Sequence, residues 1–189
     1  MTLSNPSSPS SSRQLEFVCH NALDTKTLYV FQEPTAGEDE DFTGERLWFG
    51  ALTMISNVIT ASWSELLSVC LNATQASAQT DPSIRVLELG CGAGVLGSVI
   101  GLLSIQQQSS PIKSITLTDG NSIMIRTTQH NLEHNGLADI CQACPLMFGH
   151  RSGNEAAAVQ GQFELIVGSD ILYTNSVRPP LSSPAPLLD

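Results

Sequence analysis

Three places in the chain carry residue types and spacings that suit chemistry. The first is the run Arg85-Val86-Leu87-Glu88-Leu89-Gly90-Cys91-Gly92-Ala93-Gly94-Val95-Leu96-Gly97. Gly90, Gly92 and Gly94 remove Cβ atoms at alternate positions, so a backbone there can turn sharply and approach a ligand closely. The helix-like apolar segment that follows, residues 95–103, would direct its N-terminal N–H groups at that ligand. The second is Asp119, an acidic side chain that ends an apolar stretch and precedes Gly120. At the carboxyl end of the strand after a glycine turn, such a carboxylate can hold the two hydroxyls of a ribose. The third is Asp170-Ile171-Leu172-Tyr173, a carboxylate and a phenol about one helical turn apart. A nucleotide-like cofactor on the turn, with an acid near its reactive end, is the chemistry these types fit.

The turn by itself leaves the cofactor open. Gly92-x-Gly94-x-x-Gly97 also satisfies the dinucleotide fingerprint, which is weak when it stands alone. The register E-x-G-x-G-x-G, with Glu88 closing the strand, points instead to S-adenosylmethionine. A dinucleotide oxidoreductase would need a second nucleotide-binding half and leaves the Asp170 to Tyr173 series unexplained. Each feature also has a plain structural explanation: a tight turn for the glycines, turn chemistry for Asp119-Gly120, and a helix cap for Asp170 with Tyr173 packed nearby. Cys141-x-x-Cys144 reads as two small residues on a strand. Zinc would require about two more ligands, and only His150 lies close in sequence.

The elements that must position these residues alternate between strand and helix. Residues 15–19 and 27–31 read as short strands around a turn, and residues 33–41 as an acidic loop. Helical spacing runs through Leu47, Trp48, Ala51, Leu52, Ile55, Val58 and Ile59. Ser62-x-x-Glu65 is a capping box that starts another turn or two to Leu71, and residues 72–83 read as a loop. Strands are expected at 84–89, 114–118, 140–148 and 163–170, with helices at 95–103 and 121–135. Pro145 suits an edge strand, and the apolar fourth strand suits burial on both faces. Residues 150–162 read as a polar loop. This alternation predicts an α/β fold with a doubly wound parallel sheet.

Composition narrows the partners. The 189 residues are enough for one domain, and the formal net charge is −10 with only two lysines, Lys26 and Lys113. That balance offers no basic stripe for a phosphate backbone, so nucleic acid is not expected as a partner, while a basic protein segment would be steered in. Neither a secretory h-region nor a run of transmembrane length is present, so no membrane association is expected. The five scattered cysteines suit a reducing compartment, cytoplasm or nucleus.

Taken in order, TGERLWFGAL, LELGCGAGVLG, LTD, NLEHN and FELIVGSDILY resemble the protein-lysine methyltransferases, also called methyltransferase family 16, over residues 43–181. The resemblance implies a Rossmann-like, seven-strand fold of the S-adenosylmethionine-dependent type and a protein substrate methylated on lysine. It implies that Trp48 borders the cofactor site and that Gly90, Cys91 and Gly92 line the methionine part. It further implies that Asp119 holds the ribose and that Phe148 stands where the family has a tryptophan beside the adenine. Ser169 falls where the family has a small residue facing the cofactor. Glu88 and Gly94 complete the expected cofactor set, and Asp170 and Tyr173 are the expected catalytic pair. Asp170 would orient the amine, and Tyr173 would supply an aromatic wall or a hydroxyl. No metal is expected.

The chain departs from that pattern at its end. Nineteen residues follow Asp170, among them Pro179, Pro180, Pro184 and Pro186. Three further strands are expected from the family, and this tail cannot supply them. The expected division is a Ser/Pro-rich disordered tail at 1–13, the methyltransferase domain at 14–178, and a Pro-rich tail at 179–189. The sheet would then be incomplete at the C-terminus, with an edge open to self-association. The alternative to an active enzyme is a truncated remnant that only binds cofactor or partners.

Overall fold

Ile84–Leu89 (β3) is the strand on which the sheet is built in the computed structural model, which describes residues 13–20, 25–32, 47–59, 62–76, 83–107, 109–148 and 163–171. Ile84, Val86, Leu87 and Glu88 are all buried, so both faces of β3 are covered, as for an interior strand of a parallel sheet. Ile112–Asp119 (β4) pairs with it on one side and Leu165–Gly168 (β6) on the other, while Cys141–Pro145 (β5) lies beyond β4. The order is β5-β4-β3-β6 and every pairing is parallel. Leu89 stands opposite Thr118 and Gly168, and Asp119 opposite Pro145. The carboxyl ends of all four strands are thereby brought level. This is the Rossmann-like α/β fold the sequence predicts.

Val95–Gln106 (α3) links β3 to β4, and Ser122–His134 (α4) links β4 to β5. α3 is apolar around most of its circumference and is buried from Val95 to Leu102, as expected of a helix pressed into a core. α4 starts on an Asn121 cap whose side chain accepts the Ile123 N–H at 2.8 Å, and Gly136 follows it with φ +67°. The core gathers Leu28, Ile55, Ile84, Leu96, Ile100 and Leu117 between these layers.

A second sheet precedes this unit. Arg13–His20 (β1) and Thr25–Gln32 (β2) form an antiparallel hairpin with Arg13 opposite Gln32. The period-two alternation sends Leu28 and Val30 into the core and Tyr29 and Phe31 to the other face. Both strands are longer than the apolar residues alone suggest.

Three expectations require correction. The helical spacing over residues 47–59 resolves into Phe49–Thr53 (α1) followed by a π-helical segment, Met54–Ile59. Apolar spacing does not separate i→i+4 from i→i+5 bonding over so few turns. The next helix, Trp63–Ala76 (α2), continues through residues 72–76, which the sequence reads as loop. Leu71, Ala73, Gln75 and Ala76 are good helix formers, so polarity there does not end the helix.

The third correction concerns β6, which is shorter than 163–170 and is not buried on both faces: Ile166 is 55% exposed. Among the described residues β6 pairs only with β3, so its apolar composition does not by itself secure cover. Arg85 and Glu164 pin its register. The Glu164 carboxylate accepts the Arg85 backbone N–H at 2.7 Å and the guanidinium Nη2 at 2.5 Å. Burial opposes the charge on Glu164, but these bonds outweigh it and hold the carboxyl below its ordinary range.

β5 occupies the edge beyond β4 among the described residues, as Pro145 predicts. No described helix is long and apolar enough to cross a membrane. The expected features at 1–12, 33–41, 150–162 and 179–189 lie outside the described residues.

Candidate functional site

The site residues gather at the carboxyl ends of the parallel strands, where open α/β sheets bind ligands. From β3 the chain enters the turn Gly90-Cys91-Gly92-Ala93-Gly94, in which Gly90, Gly92 and Gly94 take φ of +64°, +53° and +77°. A side chain at any of these positions would be strained. At Gly90 the missing Cβ has a second use. Ile171 Cγ2 lies 2.7 Å from where that Cβ would stand, so the chain leaving β6 packs directly on the turn.

Asp119 faces this turn from the end of β4. Its Oδ2 accepts the Gly92 N–H at 3.0 Å and its Oδ1 accepts the Asn121 N–H at 2.8 Å. Two bonds leave the carboxylate oxygens with spare lone pairs for hydroxyl donors. The backbone beyond β5 closes on the same point, since the Leu146 N–H donates to the Asp119 carbonyl at 2.9 Å. That contact carries Met147 past Gly120 and leads to the half-buried Phe148.

Glu88 and Cys91 sit beneath the turn. Glu88 is 1% exposed, and its Oε2 accepts the Gly97 N–H in the first turn of α3 at 2.9 Å. Gly94, at the cap position of α3, has no side chain to do this, so the strand supplies the cap. A ligand would therefore sense Glu88 through the turn it shapes. Burial pushes the Glu88 carboxyl up to about 8, against the lowering effect of the Gly97 bond, and the nearby charge of Asp119 adds to the rise. The Cys91 thiol is buried beside Thr128 Oγ1 at 3.7 Å, and its own N–H donates to the Thr118 carbonyl. Burial, with the charges of Glu88 and Asp119, raises the thiol well above its usual range. It is an unreactive packing group.

Asp170 is the one non-glycine residue with positive φ among the described residues, at 55°. Its side chain is exposed, and Oδ2 accepts the Gly50 N–H in the first turn of α1 at 2.7 Å. Any Cβ at Gly50 would fall onto that carboxylate. The bond brings Trp48 and Phe49 beside the end of β6, with Trp48 44% and Phe49 81% exposed. Ser169 lies between Gly168, which is paired to Leu89, and Asp170.

Of the expected residues, the structure brings Trp48, Gly90, Gly92, Gly94, Asp119, Phe148, Ser169 and Asp170 to one end of the sheet, and sets Glu88 and the Cys91 side chain below it. Tyr173 lies outside the described residues. Sequence reasoning misses Gly50 and Ile171, whose contacts with Asp170 and with the glycine turn reach across the fold. It also misses Thr128 and Asn131 of α4, which hold the Gly92 and Ala93 carbonyls at 2.6 and 2.9 Å. The run NLEHN was the available signal for Asn131. No group of three or more metal-ligating side chains occurs among the described residues, and Cys141 and Cys144 lie on β5 as ordinary strand residues.

Known proteins similar to this chain include methyltransferases. The chain is 33% identical over 84 residues to the ribosomal RNA small subunit methyltransferase C of Actinobacillus succinogenes, covering 44% of this chain and 21% of that protein. It is 29% identical over 107 residues to the ribosomal protein L11 methyltransferase of Myxococcus xanthus, covering 57% and 32%. The alignments span about a fifth to a third of these curated relatives. Among solved structures, the methyltransferase PaMTH1 of Podospora anserina with SAH bound is similar at a TM-score of 0.37 and 14% identity, covering 66% of this chain and 51% of that one. Residues 24–184 match the family described as lysine methyltransferase, and the chain belongs to that family.

Proposed function

We propose that the chain is the cofactor-binding part of an S-adenosylmethionine-dependent methyltransferase whose acceptor is a lysine side chain of a protein. The observation that carries the reading is the pairing of Asp119 with the glycine turn, Oδ2 to Gly92 N–H at 3.0 Å. It joins a diol-binding carboxylate to a Cβ-free backbone at the carboxyl edge of the sheet. The donor set fits such a cofactor. Asp119 has lone pairs for two ribose hydroxyls, Phe148 and Trp48 offer aromatic faces, and the turn gives close backbone approach.

When bound, the sulfonium supplies an activated methyl group. The remaining work is alignment, because an in-line displacement depends mostly on placing the nucleophile. A lysine ammonium must first lose its proton. Asp170, held open to solvent by the Gly50 N–H, is the group suited to accept from the amine and orient its lone pair. Trp48 and Phe49, exposed just ahead of Gly50 in the chain, would suit the aliphatic stem and cationic head of lysine.

The names of the relatives supply a second reading, in which the acceptor is RNA. The formal charge of −10 weighs against it, since a phosphate backbone would be repelled. Calorimetry with S-adenosylhomocysteine tests the cofactor, and tritiated methyl transfer to protein and RNA fractions tests the acceptor. Label recovered as methyl-lysine after acid hydrolysis is the expected result. Label confined to RNA would replace the lysine reading, and no cofactor binding would remove both.

A further inference from the structure

Asn131 is fully buried on α4 and all of its amide is used. Oδ1 accepts the Phe31 N–H at 2.8 Å, while Nδ2 donates to the Phe31 carbonyl at 3.1 Å and to the Ala93 carbonyl at 2.9 Å. One side chain thus completes both backbone groups of a β2 residue and a carbonyl of the glycine turn. Asn135, one helical turn on, does only the first of these. Its Oδ1 accepts the Tyr29 N–H at 2.8 Å, and its Nδ2 donates to the Tyr29 carbonyl at 2.6 Å and to the Asn131 carbonyl at 2.7 Å. Thr128, one turn before, does only the second, donating to the Gly92 carbonyl at 2.6 Å. Along α4 the contacts therefore pass from turn alone, through both, to hairpin alone. The Phe31 ring packs edge-on against His130 and His134, with centroids 5.1 and 4.8 Å away, which seats the hairpin on the same helix.

Buried amide groups that lose a partner bear the full cost of desolvation. If β2 lifts from α4, Asn131 loses the bonds that fix its plane and no longer has reason to face Ala93. If the turn rearranges, one donor of Asn131 is stranded beside β2. We infer that Asn131 is a positioning residue that couples the β1–β2 hairpin to the glycine turn, so that hairpin docking and the ligand-ready turn stabilise each other. The coupling makes the hairpin a regulatory element of the site proposed above, and this part rests on the cofactor reading. By linkage it acts equally in both directions.

Native-state hydrogen exchange on the full chain tests it without a ligand. In low urea, the amides of Tyr29 and Phe31 and those of Gly92 and Gly94 should open together with one shared free energy. Asn135→Ala, which disturbs only hairpin and helix contacts, should speed exchange at Gly92 and Gly94 by about fivefold or more. In the wild-type chain, S-adenosylhomocysteine should slow Tyr29 and Phe31 by a similar factor. Separate opening energies, or faster hairpin exchange with an unchanged turn, would overturn the inference. A wild-type chain that binds no S-adenosylhomocysteine would sink the cofactor reading alone, since the urea and Asn135→Ala data still decide the coupling. Failure of Asn135→Ala to fold leaves the wild-type urea series to decide it.

Discussion

The Asp170 carboxylate and the Gly50 N–H meet at 2.7 Å across 120 residues of sequence. The bond joins the end of β6 to the start of α1, and it fixes an exposed acid at the carboxyl end of the sheet. Asp170 bears a positive φ for this position, a conformation that costs a non-glycine residue of order 1–3 kcal/mol. Strain of that kind motivates testing Asp170 as a positioned functional group.

Asp170→Asn keeps the size and an acceptor for the Gly50 N–H but removes the charge. In a preparation that transfers methyl groups, turnover should fall roughly tenfold or more, as when a positioned acid–base group is lost. Affinity for S-adenosylhomocysteine should stay nearly constant. Gly50→Ala should imitate it, because the new Cβ displaces the Asp170 carboxylate. Parallel loss of cofactor affinity and turnover in Asp170→Asn would make Asp170 a structural anchor only.

Asp119→Ala should weaken S-adenosylhomocysteine binding by about 1.5–3 kcal/mol, the value of hydrogen bonds to a charged group. Calorimetry on a variant with wild-type circular dichroism reads this directly. Unchanged affinity would remove Asp119 from the cofactor site.

Gly97→Ala tests how tightly the turn is held from below. Its Cβ would stand 2.6 Å from Glu88 Oε2 and 2.6 Å from Leu117 Cδ2, both in buried side chains. Overpacking of this kind costs about 1–3 kcal/mol. A urea midpoint equal to wild type would show that Glu88 and Leu117 can move aside freely.

Glu88 gives the chain a pH signature. Its folded carboxyl titrates near 8, above the ordinary value of 4.5. Between those values the native state holds a proton that the unfolded state has released, so this group's stabilisation is complete below about 4.5 and is lost as pH rises through 8. Glu88→Gln is always neutral and lacks that slope. The urea midpoint of wild type should therefore drop relative to Glu88→Gln as pH goes from 5 to 8.5. A constant difference would mean that Glu88 is ionised throughout.

Much of the scaffold was legible because its signals are local. The run 84–89 follows Pro82-Ser83, ends on Gly90 and is largely apolar, and Asn121 and Gly136 mark the ends of α4 by their own chemistry. The convergence of Gly92, Asp119 and Asp170 was legible only through the order of the motifs. What escaped depends on partners far away in sequence. Strand alternation does not say which face of β3 Glu88 takes, and only the position of Gly97 puts its carboxyl under α3. The exposure of Ile166 depends on what covers β6, and the use of Gly50 depends on a residue 120 positions later.

Asn131 of α4 and Asn135 at its C-terminal cap have a further consequence for how the chain behaves in a crowded solution. A two-stranded ribbon has two open edges, and each is a template on which another chain can add a strand. On β2 the groups that point outward, the N–H and C=O of Tyr29 and Phe31, are taken up by Asn135 and Asn131. A helix here stands in for the missing neighbour strand, with side-chain amides copying the spacing of a backbone. The ribbon is thereby closed along that side to growth into a larger sheet, and a chain that loses either asparagine exposes an adhesive edge even while its core remains folded.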